Sequence, residues 1–120
     1  MGLVRLFWNF ITGKPPGMAN PDDIDIIATD RKRSKLLLVM TEHRPWNGDP
    51  MRGQFHNKAN TYVRYVLSEQ FAKDYPDYRA DDVIVKLDCA HAPDEATLAF
   101  FDTVKEGLAE HGIGFEYEIC

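Results

Sequence analysis

Apolar residues recur along this chain in two periods. Ile24, Ile26 and Ala28 alternate with Asp23 and Asp25, the pattern of a strand with one wet face. A charged turn follows at residues 30–34. Lys35 then leads into Leu36, Leu37, Leu38, Val39 and Met40, apolar on both faces as an interior strand is. The two segments predict a hairpin. Next, Phe55, Ala59, Tyr62, Val63 and Val66 fall at helical spacing. Asp49 and Pro50 serve as N-cap and first helical residue, and Pro76 as the stop. Val83, Val85, Leu87 and Cys89 alternate with Ile84, Lys86 and Asp88 as a third strand. Pro93, Asp94 and Glu95 open a second helix, their acids suited to its dipole, with Leu98, Phe101, Val104 and Leu108 as the core face. Gly112 and Gly114 end it, and Phe115, Tyr117 and Ile119 alternate with Glu116 and Glu118 in a last strand.

Residues 2–12 show a wide apolar arc. On a helical wheel Leu3, Leu6, Phe7 and Phe10 cluster, flanked by Val4, Trp8 and Ile11, with Arg5, Asn9 and Thr12 opposite. Gly13 and the run Pro15-Pro16-Gly17 end the segment. The expected organisation is an amphipathic helix over 1–13, a Pro/Gly linker over 14–21, and one domain over 22–120. Its fold class is α/β of the α+β kind. A mixed four-stranded sheet of ββαβαβ order is expected to form a two-layer sandwich with two main helices. Right-handed crossovers make the last three strands parallel and leave the first antiparallel at an edge. With both crossovers on one side, the other sheet face is free for residues 2–12 or for a partner.

Composition narrows the function classes. The chain has 120 residues, 44% hydrophobic and 28% charged, which is enough for one ordinary core. A net charge of −5 argues against nucleic acid, whose phosphates draw affinity from Lys and Arg. Two cysteines, Cys89 and Cys120, without a secretion signal point to reduced thiols in the cytoplasm. No run reaches the length of a membrane span. The myristoylation pattern fails because residue 6 is Leu6.

Candidate chemistry gathers where strands end. In a parallel sheet, ligands bind outside the carboxyl ends of the strands. That places Glu42, His43 and Trp46 together with Cys89 and His91, and brings Gln54 and His56 near from the helix. His43, His56, Cys89 and His91 carry metal-ligating atoms but lack a compact ligand spacing. Cys89 with His43 or His91 as base makes a weak nucleophile pair, since Cys89 lies in the buried phase of its strand. No closed catalytic set results, and no cofactor is expected. Gln54, Lys58 and Tyr65 flank the helix core stripe and, with Tyr62, His43 and Trp46, suggest a polar and aromatic binding strip.

The turn His43-Arg44-Pro45-Trp46, the helical set Gln54, Lys58, Asn60 and Tyr62, and the closing helix and strand from Phe101 to Tyr117 resemble a bacterial family of small proteins of unknown function. The resemblance starts near Asn20 and covers most of the chain. Glu42 stands where the family pattern has Asp. The resemblance implies a fold and no mechanism. Three functions fit. The first is a non-enzymatic interaction domain, adaptor-like or immunity-like, that self-associates or docks a protein through Leu3, Leu6, Phe7, Trp8 and Phe10. The second is a small-molecule or metal site, with or without an activity, around His43, Trp46 and His91. The third is a peripheral membrane protein anchored by residues 2–12.

Overall fold

The computed structural model describes residues 17–120, and residues 4–6 for their backbone. The hairpin forms as β2 (Ile26–Asp30) and β3 (Lys35–Glu42), joined by a turn in which Asp30 accepts from the Arg33 amide at 3.3 Å. Helix α1 (Gly48–Val66) and helix α2 (Glu69–Asp74) carry the chain to β4 (Val83–Cys89). Helix α3 (Glu95–Ala109) then leads to β5 (Gly114–Ile119). A short strand β1 (Val4–Leu6) joins at the margin. The sheet runs in the order β1-β2-β3-β4-β5, antiparallel between the first three strands and parallel from β3 to β5. The expected mixed sheet of ββαβαβ order and its two main helices are therefore present, with a fifth strand added.

Every described helix packs on the same sheet face. Phe55, Ala59, Tyr62 and Val66 of α1, Phe71 of α2, and Phe101, Val104 and Leu108 of α3 share one core with Leu36, Leu38, Met40, Val85 and Leu87. Three rings form its centre, with Phe55 to Phe101 at 5.4 Å, Phe101 to Phe115 at 5.6 Å and Phe55 to Phe115 at 5.7 Å. Each buried ring or branched side chain contributes about 1.5–3 kcal/mol of transfer free energy. Ala28, Leu37, Val39 and Ile84 make a second, smaller cluster on the opposite face. That cluster explains why β3 is apolar in both phases.

Four expectations need correction. Val4–Leu6 do not form part of an amphipathic helix over 1–13; they pair with β2, Val4 opposite Ala28 and Leu6 opposite Ile26. Pairing gives the backbone hydrogen bonds that a short isolated helix holds only marginally in water. Leu3, Phe7, Trp8 and Phe10 lie outside the described residues. Secondly, residues 17–21 are no linker, because Met18 is fully buried and Asn20 nearly so. Thirdly, the long helix does not run on to Pro76. Ser68 breaks it, accepting from the Phe71 amide at 3.2 Å as the N-cap of α2. Helix α1 itself starts one residue before Asp49, with Asn47 in the N-cap position. Finally, Leu98 is 39% exposed while Thr97 is buried, so the core stripe of α3 is narrower than expected.

Candidate functional site

At the strand ends Glu42, Arg44, Gln54 and Trp46 come together, and their polar groups are committed to internal bonds. Glu42 is buried and grips Arg44 twice, Oε1 to Nη2 at 2.6 Å and Oε2 to Nε at 2.9 Å. The Arg44 amide also donates to Oε2 at 3.0 Å. Burial pushes the Glu42 carboxyl up, yet the Arg44 bonds outweigh it and hold the group below the usual glutamate range. Arg44 in turn donates to Gln54 Oε1 at 2.7 Å. The Trp46 indole donates to the His91 carbonyl at 3.2 Å and sets its ring edge-on to Phe101 at 5.6 Å. The Ala90 amide donates to the Glu42 carbonyl at 2.9 Å. These bonds latch the β3–α1 turn to the β4–α3 loop. A recess of about 210 Å³ remains beside it, lined by Gly17, Met18, Thr41, Glu42, His43 and Arg44.

Lys58 and Tyr62, expected on a binding strip, are fully buried. The Lys58 ammonium donates to Asp25 Oδ1 at 2.6 Å, to the Gly17 carbonyl at 2.6 Å and to the Asn20 carbonyl at 2.9 Å. An ammonium has three protons, so none is left for a ligand. Asp25 Oδ2 accepts from the amides of Gly17 at 3.1 Å and Thr41 at 3.2 Å. Tyr62 donates to the Val39 carbonyl at 3.1 Å and accepts from the Asp25 amide at 3.3 Å. Burial lowers the Lys58 pKa against the opposing pull of Asp25. Burial first, and then the Asp25 charge, hold the Tyr62 phenol well above its ordinary range. Gly17 has φ +127°, a conformation that L side chains rarely adopt, and this favours glycine where the loop turns in. The network is a clamp that fixes residues 17–25 to α1 and β3.

The remaining predicted residues separate. Tyr65 donates to Asp74 at 2.7 Å and packs edge-on against Phe71, tying α1 to α2. His56 sits beside Asn60 at 3.2 Å in a groove between α1 and α3 of about 300 Å³, whose rim also includes His111. Cys89 is buried, with Sγ 3.4 Å from the Glu118 carbonyl, and burial raises its thiol pKa. His43, His56, Cys89 and His91 are thus not gathered into a ligand set. Among the described residues, one group of ligating atoms does come within 4.8 Å of one another: Asp88, Glu118 and Cys120. The Lys86 ammonium already stands 2.9 Å from Glu118 and 3.4 Å from Asp88.

An open surface lies elsewhere, along β5. Phe101, Asp102 and Lys105 of α3 face Phe115, Glu116 and Tyr117 across a groove of about 380 Å³. Tyr117 packs on Phe101 at 5.0 Å yet stays 43% exposed, and Ile119 is 51% exposed. Leu98 lies one turn before Asp102 on the same side of α3. Three of the four large exposed apolar side chains among the described residues therefore follow this margin. Among the described residues β5 pairs only with β4, so its outer edge has no strand beside it. The alternation of Phe115, Tyr117 and Ile119 was legible, but no period tells a half-covered edge strand from a covered one.

Fold and site together define a small α+β protein with a clamped interior, a latched strand end and one open apolar margin. Residues 17–120 match a family of unknown function (DUF6572), and the chain belongs to that family. The match begins at Gly17, the first residue held by the Asp25–Lys58 clamp. No curated protein and no solved structure matches the chain. No helix among the described residues is long and apolar enough to cross a membrane.

Proposed function

We propose that this chain is a non-enzymatic interaction domain that docks a protein partner along β5 and the facing side of α3. The carrying observation is the exposure of Tyr117 and Ile119 on the edge strand β5 and of Leu98 on α3 beside it. The strand-end cluster supports the same reading by exclusion of spare chemistry, since Glu42, Arg44 and Trp46 bond internally and Lys58 has no free proton. This surface lies at the opposite margin of the sheet from β1, and the side chains of the apolar head lie outside the described residues. The setting proposed is the cytoplasm, where the free thiols of Cys89 and Cys120 stay reduced.

A comparative pull-down tests this reading. The full chain and its Tyr117→Lys/Ile119→Lys variant serve as baits in an extract of the source cell. Both positions are half exposed, so the variant keeps its melting temperature within a few degrees. Proteins retained by the parent and lost by the variant are expected. Identical captures by two equally folded baits would remove β5 as the docking surface.

A further inference from the structure

We infer that β5 accepts an extended peptide segment as a sixth strand, and that this segment alternates apolar with cationic side chains. The inference rests on the docking surface proposed above and names the partner's chemistry.

The backbone supplies the first part. The Cys120 amide donates to the Cys89 carbonyl at 2.8 Å, so residue 120 points its peptide groups toward β4. Peptide groups alternate in direction along a strand together with the side chains. Those of Phe115, Tyr117 and Ile119 therefore point away from β4, on the side where no strand stands among the described residues. Register with β4 is unbroken from Gly114 to Ile119. Edge strands are ordinarily blunted by Pro, Lys, a bulge or a covering element. Strand β5 has no Pro, Lys or bulge and confines its charges, Glu116 and Glu118, to one side, so its sequence GFEYEI offers a regular ladder of outward donors and acceptors.

Charge decides the occupant. On the helix side the new strand would meet Tyr117, Ile119 and the groove floor of Phe101 and Phe115, which suits apolar side chains. On the other side it would meet Glu116 and Glu118. There Arg33 and Lys86 are shared among four carboxylates, those of Asp30, Asp88, Glu116 and Glu118. The surplus is negative and lies at the margin, where the Glu118 side chain is 60% exposed. A second copy of β5 is disfavoured by the same count. With only glutamates on that side, two β5 strands that align their apolar sides set carboxylate against carboxylate, which is destabilising across a ladder. A strand bearing Lys or Arg at alternate positions neutralises the surplus instead.

Synthetic peptides added to the full chain test this. The probe is a capped six-residue peptide alternating Lys with Val, compared with a peptide of equal composition in two blocks. Fluorescence anisotropy reads affinity, and amide NMR reads the site. The alternating peptide is expected to bind about tenfold or more tightly than the block peptide. It should shift the amides of Phe115, Tyr117 and Ile119, and lose affinity when its own alternate amides are N-methylated. Glu116→Lys/Glu118→Lys, a surface change, should weaken binding by about tenfold. Equal binding of the alternating and block peptides would overturn the inference, as would indifference to N-methylation. Equal binding of a peptide alternating Glu with Val, at the same amides, would overturn the cationic assignment and leave the docking surface standing. Dimers that protect β5 in the full chain alone would overturn it in favour of a second copy. The surface itself fails only if the pull-down also loses its dependence on Tyr117 and Ile119.

Discussion

Lys58→Met is expected to be among the most destabilising single changes in this protein. Both partners of the Asp25–Lys58 pair are completely buried. Removing the lysine leaves the Asp25 carboxylate inside with its two backbone donors, Gly17 and Thr41, and no counter-charge within bonding reach. It also removes the ammonium that the carbonyls of Gly17 and Asn20 accept from. Breaking one side of a buried pair costs about 3–5 kcal/mol. A domain of this size has a stability on the order of 5–15 kcal/mol, so the loss is a large share. Melting followed by far-UV circular dichroism should fall by about 10–20 °C.

The double variant Asp25→Val/Lys58→Met separates charge from architecture. An isolated buried pair can often be exchanged for apolar residues at little cost. This pair is not isolated, because it also serves four backbone groups at Gly17, Asn20 and Thr41. Each buried group that loses its partner costs about 1–3 kcal/mol. The double variant should therefore stay at least about 2 kcal/mol below the parent, with the amides of Gly17 and Thr41 exchanging faster. A double variant as stable as the parent would show that the clamp on residues 17–25 does not hold the fold together.

Three further outcomes follow from single groups. Because Glu42 is held below the ordinary 4.5 by Arg44, its stabilisation is present above that pH and is lost as pH falls through the lowered folded pKa. Glu42→Gln should cost about 1.5–3 kcal/mol near neutral pH, and urea titrations should show the gap to the parent closing as the pH falls below 4.5; a gap independent of pH would refute the assignment. Gly107→Ala, whose new Cβ would meet nothing within 4 Å, should stabilise α3 by about 0.5–1 kcal/mol. Gly112→Ala, at φ +78° and 3.4 Å from the Asp81 Cβ, should destabilise by about 1 kcal/mol or more, and thermal melts giving both the same sign would contradict this. Cys120 is exposed and Cys89 buried, so a thiol reagent should titrate one group in the folded chain and the second only in denaturant.

The sheet and the helix faces were legible because periodicity reports burial, and burial here follows the strands and helices closely. At Lys58 the reading failed because a charged residue stood at an apolar position. Lys58 falls on the same face of α1 as Met51, Phe55, Ala59, Tyr62 and Val66. The phase was therefore available, and residue type overruled it, since lysine is almost never fully buried without a partner. That partner, Asp25, lies 33 residues earlier and was read as the wet phase of a strand. Nothing local connects the two. A lysine inside a helix core stripe is itself a request for a buried carboxylate, and upstream of it only Asp25 stands between apolar residues, Ile24 and Ile26. Tyr117 and Ile119 show the reverse case, in which the phase was read correctly and the cover was missing. Alternation reports which side of a strand is apolar; it says nothing of how far the overlying helix reaches. The consequence for function is physical. Glu42, Gln54, Trp46 and Lys58, which looked available in sequence, are spent on holding the loop and the strand end. If β5 docks as proposed, its outward backbone supplies the bonds, and recognition follows the direction and alternation of a strand more than any one side chain.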